Sequence, residues 1–209
     1  MRRSSILQLL AVLAMTIDHI GSVFFPEVIS MRLVGRAAMP IFGYSVAVGY
    51  RVTRDRQQYF ARLIALAFLS QVPWMIALGH KEGLNICFTL AASLPFIYSL
   101  ETKKYFYALL FAILVWVMKV EYSLYALAII TVMRLLEDSK KYQIIILTVI
   151  TLIYSFSTGY YFQIFSIIIF PIILYLDELK ERLPISRKVF YAYYPAHLIM
   201  IIIGRILYV

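Results

Sequence analysis

The 209 residues are 63% apolar and only 15% charged, and Lys plus Arg outnumber Asp plus Glu by 20 to 11 for a formal net charge of +9. A water-soluble core could not hide that much apolar surface, which excludes an ordinary soluble domain, and runs such as Ile199-Met200-Ile201-Ile202-Ile203 do not alternate as the strands of a membrane barrel do. The basic excess is spread over connectors instead of gathered on one face of a folded domain, so no nucleic-acid partner is expected, and the single cysteine, Cys87, excludes an intramolecular disulfide.

Hydrophobic runs bounded by charged or Gly/Pro-containing connectors predict one domain over 1–209. It is an all-α, polytopic integral membrane helix bundle of about nine transmembrane helices, with the lipid bilayer as solvent. The first helix, near Ile6 to Phe25, is as long as a full span, which sets it apart from a cleavable signal peptide despite Arg2-Arg3 ahead of it. Asp18 and His19 lie about two-thirds of the way along it, and a carboxylate at that depth costs several kcal/mol unless partnered. Two readings are open. Asp18 pairs with Arg36, at the start of the second helix (Ala37 to Tyr50), or Asp18 and His19 form a proton-handling site in which the carboxylate fixes the imidazole's tautomer or charge. Neighbouring helical positions point about 100° apart, so one of the two orients and the other reacts, and His19 is the better base near neutral pH.

Between the second helix and the third (Ala61 to Leu78), Arg51, Arg54, Arg56 and Arg62 are either ordinary positive charge at the cytoplasmic face or a phosphate-binding cluster for a nucleotide-bearing cofactor. Gln71-Val72-Pro73 puts an amide and a kink within the third helix. Between the third helix and the fourth (Ile86 to Leu100) runs Gly83 to Leu90, in which Asn85 and Thr89 share one helical face at i and i+4 and suit a ligand or a helix–helix bond equally. The fifth (Tyr105 to Met118), sixth (Tyr122 to Met133) and seventh (Ile144 to Phe156) fall short of the roughly 20 residues of a comfortable span. Glu121, between the fifth and sixth, is placed to cap a helix start.

An eighth helix runs near Tyr161 to Leu176 and a ninth near Phe190 to Leu207. The ninth carries Tyr193-Tyr194-Pro195-Ala196-His197, where the proline kinks the backbone and opens room for a polar pocket. His197 reads either as a tyrosine-paired structural histidine or as a substrate ligand. No HExxH-like spacing supports zinc, and no metal is expected. With the N-terminus inside, the cytoplasmic connectors hold Arg2, Arg3, Arg51, Arg54, Arg56, Arg62, Lys103, Lys104, Arg134, Lys140, Lys141, Lys180, Arg182, Arg187 and Lys188, leaving Arg32, Arg36, Lys81, Lys119 and Arg205 elsewhere, so the charge bias predicts a cytoplasmic N-terminus.

Four collinear pieces carry a family resemblance: Met15-Thr16-Ile17-Asp18-His19-Ile20-Gly21 followed by Phe25-Pro26, Gly35-Arg36-Ala37-Ala38-Met39-Pro40-Ile41-Phe42, Leu84-Asn85-Ile86-Cys87-Phe88-Thr89-Leu90, and Tyr194-Pro195-Ala196-His197-Leu198. Together with Gly49-Tyr50-Arg51-Val52-Thr53-Arg54 before Tyr59-Phe60-Ala61-Arg62-Leu63, they resemble the TraX family, membrane proteins linked to N-terminal acetylation of conjugative pilin. The chain departs from the family pattern at Ser93 and at Glu121-Tyr122-Ser123-Leu124-Tyr125-Ala126, where the family has glycines and an aspartate.

The resemblance implies a membrane-embedded acetyltransferase of the bacterial inner membrane that takes acetyl from acetyl-CoA, as donor substrate, to an amine or hydroxyl on a peptide or envelope acceptor. On that reading His19 is the general base, Asp18 or Arg36 holds it, and Arg51, Arg54 and Arg62 hold the donor's phosphates. Asn85 or Tyr194 stabilises the oxyanion, with Thr89, His197 and Glu121 as further substrate-side candidates. An envelope-glycan O-acetyltransferase shares every one of these elements. A proton-coupled transporter built on Asp18, His19 and His197 is the alternative outside enzymes.

Overall fold

A computed structural model describes residues 5–179 and 187–208. Arg2, Arg3, Lys180 and Arg182 of the predicted charged connectors lie outside the described residues, as does the side chain of Arg187. Among the described residues the elements are α1 (Ser5–Phe24), α2 (Ile29–Gly35), α3 (Ala38–Val52), α4 (Arg56–Leu78), α5 (Ile86–Glu101), α6 (Tyr105–Val117), α7 (Ser123–Leu135) and α8 (Lys140–Thr158). A 3-10 segment, Tyr161–Ile168, then runs into α9 (Ile169–Leu179), and α10 (Arg187–Tyr208) follows. Counting α2 with α3 and the 3-10 segment with α9, the described residues form nine helices.

Local chemistry sets the ends. Asp55 caps α4 by accepting from the Gln58 N–H at 2.8 Å, and Asn85 caps α5 by accepting from the Cys87 N–H at 2.9 Å. Gly79 and Gly159, at φ 72° and 71°, close α4 and α8 in the left-handed conformation that glycine adopts without strain. The Asp55 cap moves the predicted start of the third helix from Ala61 back to Arg56. The predicted seventh helix also lengthens to the 19 residues of α8, so it is not a short span. The eighth prediction splits instead, because Tyr161–Ile168 is wound as 3-10 before α9 begins.

α3 is the central helix. Nearly all of it is buried, and its Gly43 lets Ile130 of α7 approach so closely that an added Cβ would lie 3.0 Å from Cγ1. Outward faces are the reverse: Phe68, Trp116, Ile153 and Ile206 are 64 to 72% exposed, an apolar exterior suited to lipid. Four helices, Ile6–Phe24, Arg56–Leu78, Lys140–Thr158 and Lys188–Leu207, are long and apolar enough to cross a membrane. Buried polar side chains knit the interior, as where Tyr125 of α7 meets Thr151 of α8 at 3.1 Å and Gln163 of the 3-10 segment at 3.2 Å.

The connectors meet in two groups. At one end Arg36 donates to Tyr122, Lys119 pairs with Glu82, and Arg205 donates to the Ile76 carbonyl. At the other, Arg51 pairs with Glu137, and Arg134 and Arg56 flank Glu101. Of the basic residues that the charge bias separates, Arg36, Lys119 and Arg205 thus meet one group of connectors and Arg51, Arg56 and Arg134 the other.

Candidate functional site

A narrow cavity of about 120 Å³ lies among α1, α3, α4, α5 and α10. On α1 its lining runs from Gln8 to Asp18, which at about 1.5 Å per residue makes it roughly 15 Å long. Gln8, Tyr59 and Tyr191 mark one end, Asp18, Glu121 and Tyr122 the other, and His19, Cys87 and Tyr194 line it as well. The rest of the wall is mostly apolar, so each of these groups stands out as a place for chemistry.

Asp18 takes the ion-pair reading. Its Oδ1 lies 2.6 Å from Arg36 Nη2 and 2.9 Å from Arg32 Nη1. Arg36 is buried and bonded from all three nitrogens: besides the Nη2 contact to Asp18, Nε donates to the Arg32 carbonyl at 3.0 Å and Nη1 to the Tyr122 hydroxyl at 2.9 Å. Two guanidinium groups on one carboxylate, one buried and one partly exposed, offset the cost of burying Asp18 and Arg36. Gly35 makes the arrangement possible, because any Cβ there would overlap the Asp18 carboxylate.

His19 has a different partner from the one its sequence neighbour suggests. Neither Asp18 nor Arg36 holds it; its Nδ1 lies 2.9 Å from Nε2 of His197, 178 residues away on α10. Asp18 is turned toward the arginines by the helical step between positions 18 and 19, which leaves the imidazole to meet α10.

The acids and hydroxyls of the far end are organised by the α6–α7 connector. Tyr122 and Ser123 sit at φ 59° and 40°, strained values for residues with a Cβ, and this fold of the connector presents Glu121 and Tyr122 to the cavity. Glu121 Oε2 accepts from the Ile86 N–H at 3.1 Å. Burial pushes the Glu121 carboxyl up to about 7, against the opposing pull of that N–H.

Other candidates are spent elsewhere. Asn85 donates both amide hydrogens, to the Ala67 carbonyl at 2.8 Å and Gln71 Oε1 at 2.9 Å, so it has none left for an oxyanion. Thr89 donates to the Glu121 carbonyl at 2.8 Å and so holds the connector. The buried Tyr194 hydroxyl, beside the Cys87 thiol, has no nitrogen or oxygen partner among the described residues. Arg51, Arg54 and Arg62 lie outside the cavity wall; Arg51 is held by Glu137, Arg54 is exposed, and Arg62 donates to Gln58 between the lining residues Tyr59 and Leu63. Among the described residues no cluster of His, Cys, Asp or Glu is arranged to hold a metal ion.

Sequence reasoning passed over Arg32, Thr16 and Tyr193 as site residues. The spacing held a signal for each: Arg32 precedes Arg36 by one turn, and Thr16 and Tyr193 precede His19 and His197 by one turn.

Among the described residues, an all-helical bundle with a lipid-suited exterior and four helices long and apolar enough to cross a membrane has the make-up of a membrane protein. The chain belongs to the TraX family, whose pattern, described as TraX protein, matches residues 3–205. It is similar to an uncharacterized protein of Rickettsia prowazekii (strain Madrid E), 60% identical over 37 residues that cover 18% of this chain and 15% of that protein. It is also similar to a probable fimbrial assembly protein FimC, serogroup H1, of Dichelobacter nodosus, 28% identical over 103 residues that cover 42% of each. The matches therefore span less than half the length of either relative. No solved structure matches.

Proposed function

We propose that this protein is a membrane-embedded acetyltransferase of the bacterial inner membrane, with its N-terminus in the cytoplasm. It moves acetyl from acetyl-CoA to an amine or hydroxyl on a pilin-type peptide or an envelope molecule. The observation that carries the reading is His19 in the wall of an elongated, mostly apolar cavity, where a base stands beside space in which a donor and an acceptor can be held together. Family membership and the likeness to a fimbrial assembly protein support a pilin-type acceptor.

In this mechanism the donor thioester enters from the end with Gln8, Tyr59 and Tyr191. Arg62 and Arg54 remain the best candidates for its phosphates, since Arg51 is already paired with Glu137. The acceptor enters past Glu121 and Tyr122. His19 Nε2 takes the proton from the acceptor as its nitrogen or oxygen attacks the thioester carbonyl, and the Tyr194 hydroxyl donates to the developing oxyanion. Collapse breaks the carbon–sulfur bond, and the proton on His19 passes to the departing thiolate to give free CoA. Asp18 serves by holding Arg32 and Arg36, and through Arg36 Tyr122, at the acceptor end.

The test is transfer of labelled acetyl from acetyl-CoA in membranes with and without the protein, followed by mass spectrometry of the labelled product. A peptide N-terminus or an acetylated envelope sugar in the product names the acceptor. Proton flux into liposomes with no labelled product would replace the proposal with a proton-coupled transporter.

A further inference from the structure

His19 and His197 carry an arrangement that the acyl-transfer reading does not by itself require. The Tyr193 carbonyl lies 3.1 Å from His197 Nδ1, and a carbonyl only accepts, so that nitrogen bears a hydrogen. A doubly protonated His197 would be a buried cation, and the nearby carboxylate of Asp18 is already held by Arg32 and Arg36. His197 is therefore neutral, and its Nε2 carries a lone pair. Across 2.9 Å from that lone pair stands His19 Nδ1, which must then be the donor. By the same count His19 has no hydrogen on Nε2. His19 lines the cavity and His197 does not, so of the two it is His19 that stands beside the substrate space.

We infer that His197 is a positioning residue that fixes His19 as the Nδ1-protonated tautomer, leaving His19 Nε2 as the base. In water the proton of a neutral histidine sits mainly on Nε2, so without this contact the base would mostly present a hydrogen where a lone pair is needed. When His19 Nε2 takes a proton, the Nδ1–H bond to His197 becomes charge-assisted and strengthens, the task a carboxylate performs in a serine-protease triad.

The clamp is built twice over. Thr16 donates its hydrogen to the Val12 carbonyl at 2.8 Å, so in its 2.9 Å contact with Tyr193 the tyrosine donates, and α1 is tied to α10 one turn from the histidine pair. The Tyr193 ring also stacks on His197, with centroids 5.5 Å apart and planes 4° from parallel, and so holds the imidazole that accepts from His19.

The role in turnover rests on the acyl-transfer reading; the tautomer does not. Nitrogen-15 NMR of histidine-labelled protein, with His80→Gln to remove the third histidine, is expected to report His19 protonated at Nδ1. In His197→Phe that signal reverts to Nε2–H and the acetyl-transfer rate falls by about a hundredfold or more. His197→Gln, whose side-chain carbonyl still accepts from Nδ1–H, keeps the tautomer and recovers most of the rate. An Nε2-protonated His19 in the wild-type protein, or a His197→Phe variant with wild-type tautomer and rate, would overturn the inference. The wild-type tautomer without any acetyl transfer would overturn the functional reading alone.

Discussion

Both ends of the bundle carry ion networks, yet only one borders the cavity. In the network that borders it, Asp18 holds Arg36 and Arg32, and Arg36 reaches Tyr122 in the wall. At the opposite end Glu101 accepts from Tyr50 at 2.8 Å and pairs with Arg134 at 2.7 Å, while Glu137 pairs with Arg51 at 2.5 Å, and none of these five residues lines the cavity. The chemistry of the two networks is alike; the difference is what each is next to. An ion network away from the cavity locks connectors together, whereas one that shapes the wall couples stability to function.

Cutting each network tests that distinction. Asp18→Ala leaves Arg36, 3% exposed, without its carboxylate, which costs about 3–5 kcal/mol; thermal unfolding in detergent should show the largest loss of the series, and acetyl transfer should vanish with it. Gly35→Ala drives a methyl group into the Asp18 carboxylate and should cost about 1–3 kcal/mol, with turnover falling in the molecules that stay folded. Glu101→Gln cuts the other network and should cost about 1–2 kcal/mol on the same melt, yet turnover per folded molecule stays at the wild-type value. Equal loss of specific activity in Glu101→Gln and Gly35→Ala would erase the difference between the ends.

Two smaller effects sharpen the cavity end. Glu121 has a carboxyl raised to about 7 in the folded protein, so the folded state holds a proton that the unfolded chain, near the ordinary value of 4.5, releases earlier. That contribution to stability is fully present below about pH 4.5 and is lost as pH rises through about 7, so Glu121→Gln should flatten the pH dependence of the melting temperature across that window. Ser123→Gly relieves a backbone angle of φ 40° and should raise stability by about 1 kcal/mol, read as a shift in the same melt.

Much of the helical order was legible because lipid favours long apolar runs, and every run between connectors except the eighth became a single α-helix. What the runs did not give was their ends. Asp55 and Asn85 act as caps through side-chain bonds, and the 3-10 winding of Tyr161–Ile168 follows tertiary contacts such as Gln163 to Tyr125, which have no local signature. At the site, Asp18 and His19 announced themselves as groups that a bilayer does not tolerate unpaired, and Arg36 was readable as a partner for Asp18. The His19–His197 contact was not readable, because it joins residues 178 apart and depends on how α1 and α10 pack. Asn85 misled for the opposite reason: an amide in an apolar segment looks like a ligand group until its backbone partners at Ala67 and Cys87 are seen.

The central claim is that His19 is the base for acetyl transfer, and the direct measurement is single-turnover transfer from labelled acetyl-CoA by purified, folded wild-type and His19→Ala proteins to the acceptor identified in membranes. The account predicts transfer by the wild type and a loss of about a hundredfold or more in the variant with its melting temperature largely retained. Equal rates in the two proteins would contradict it.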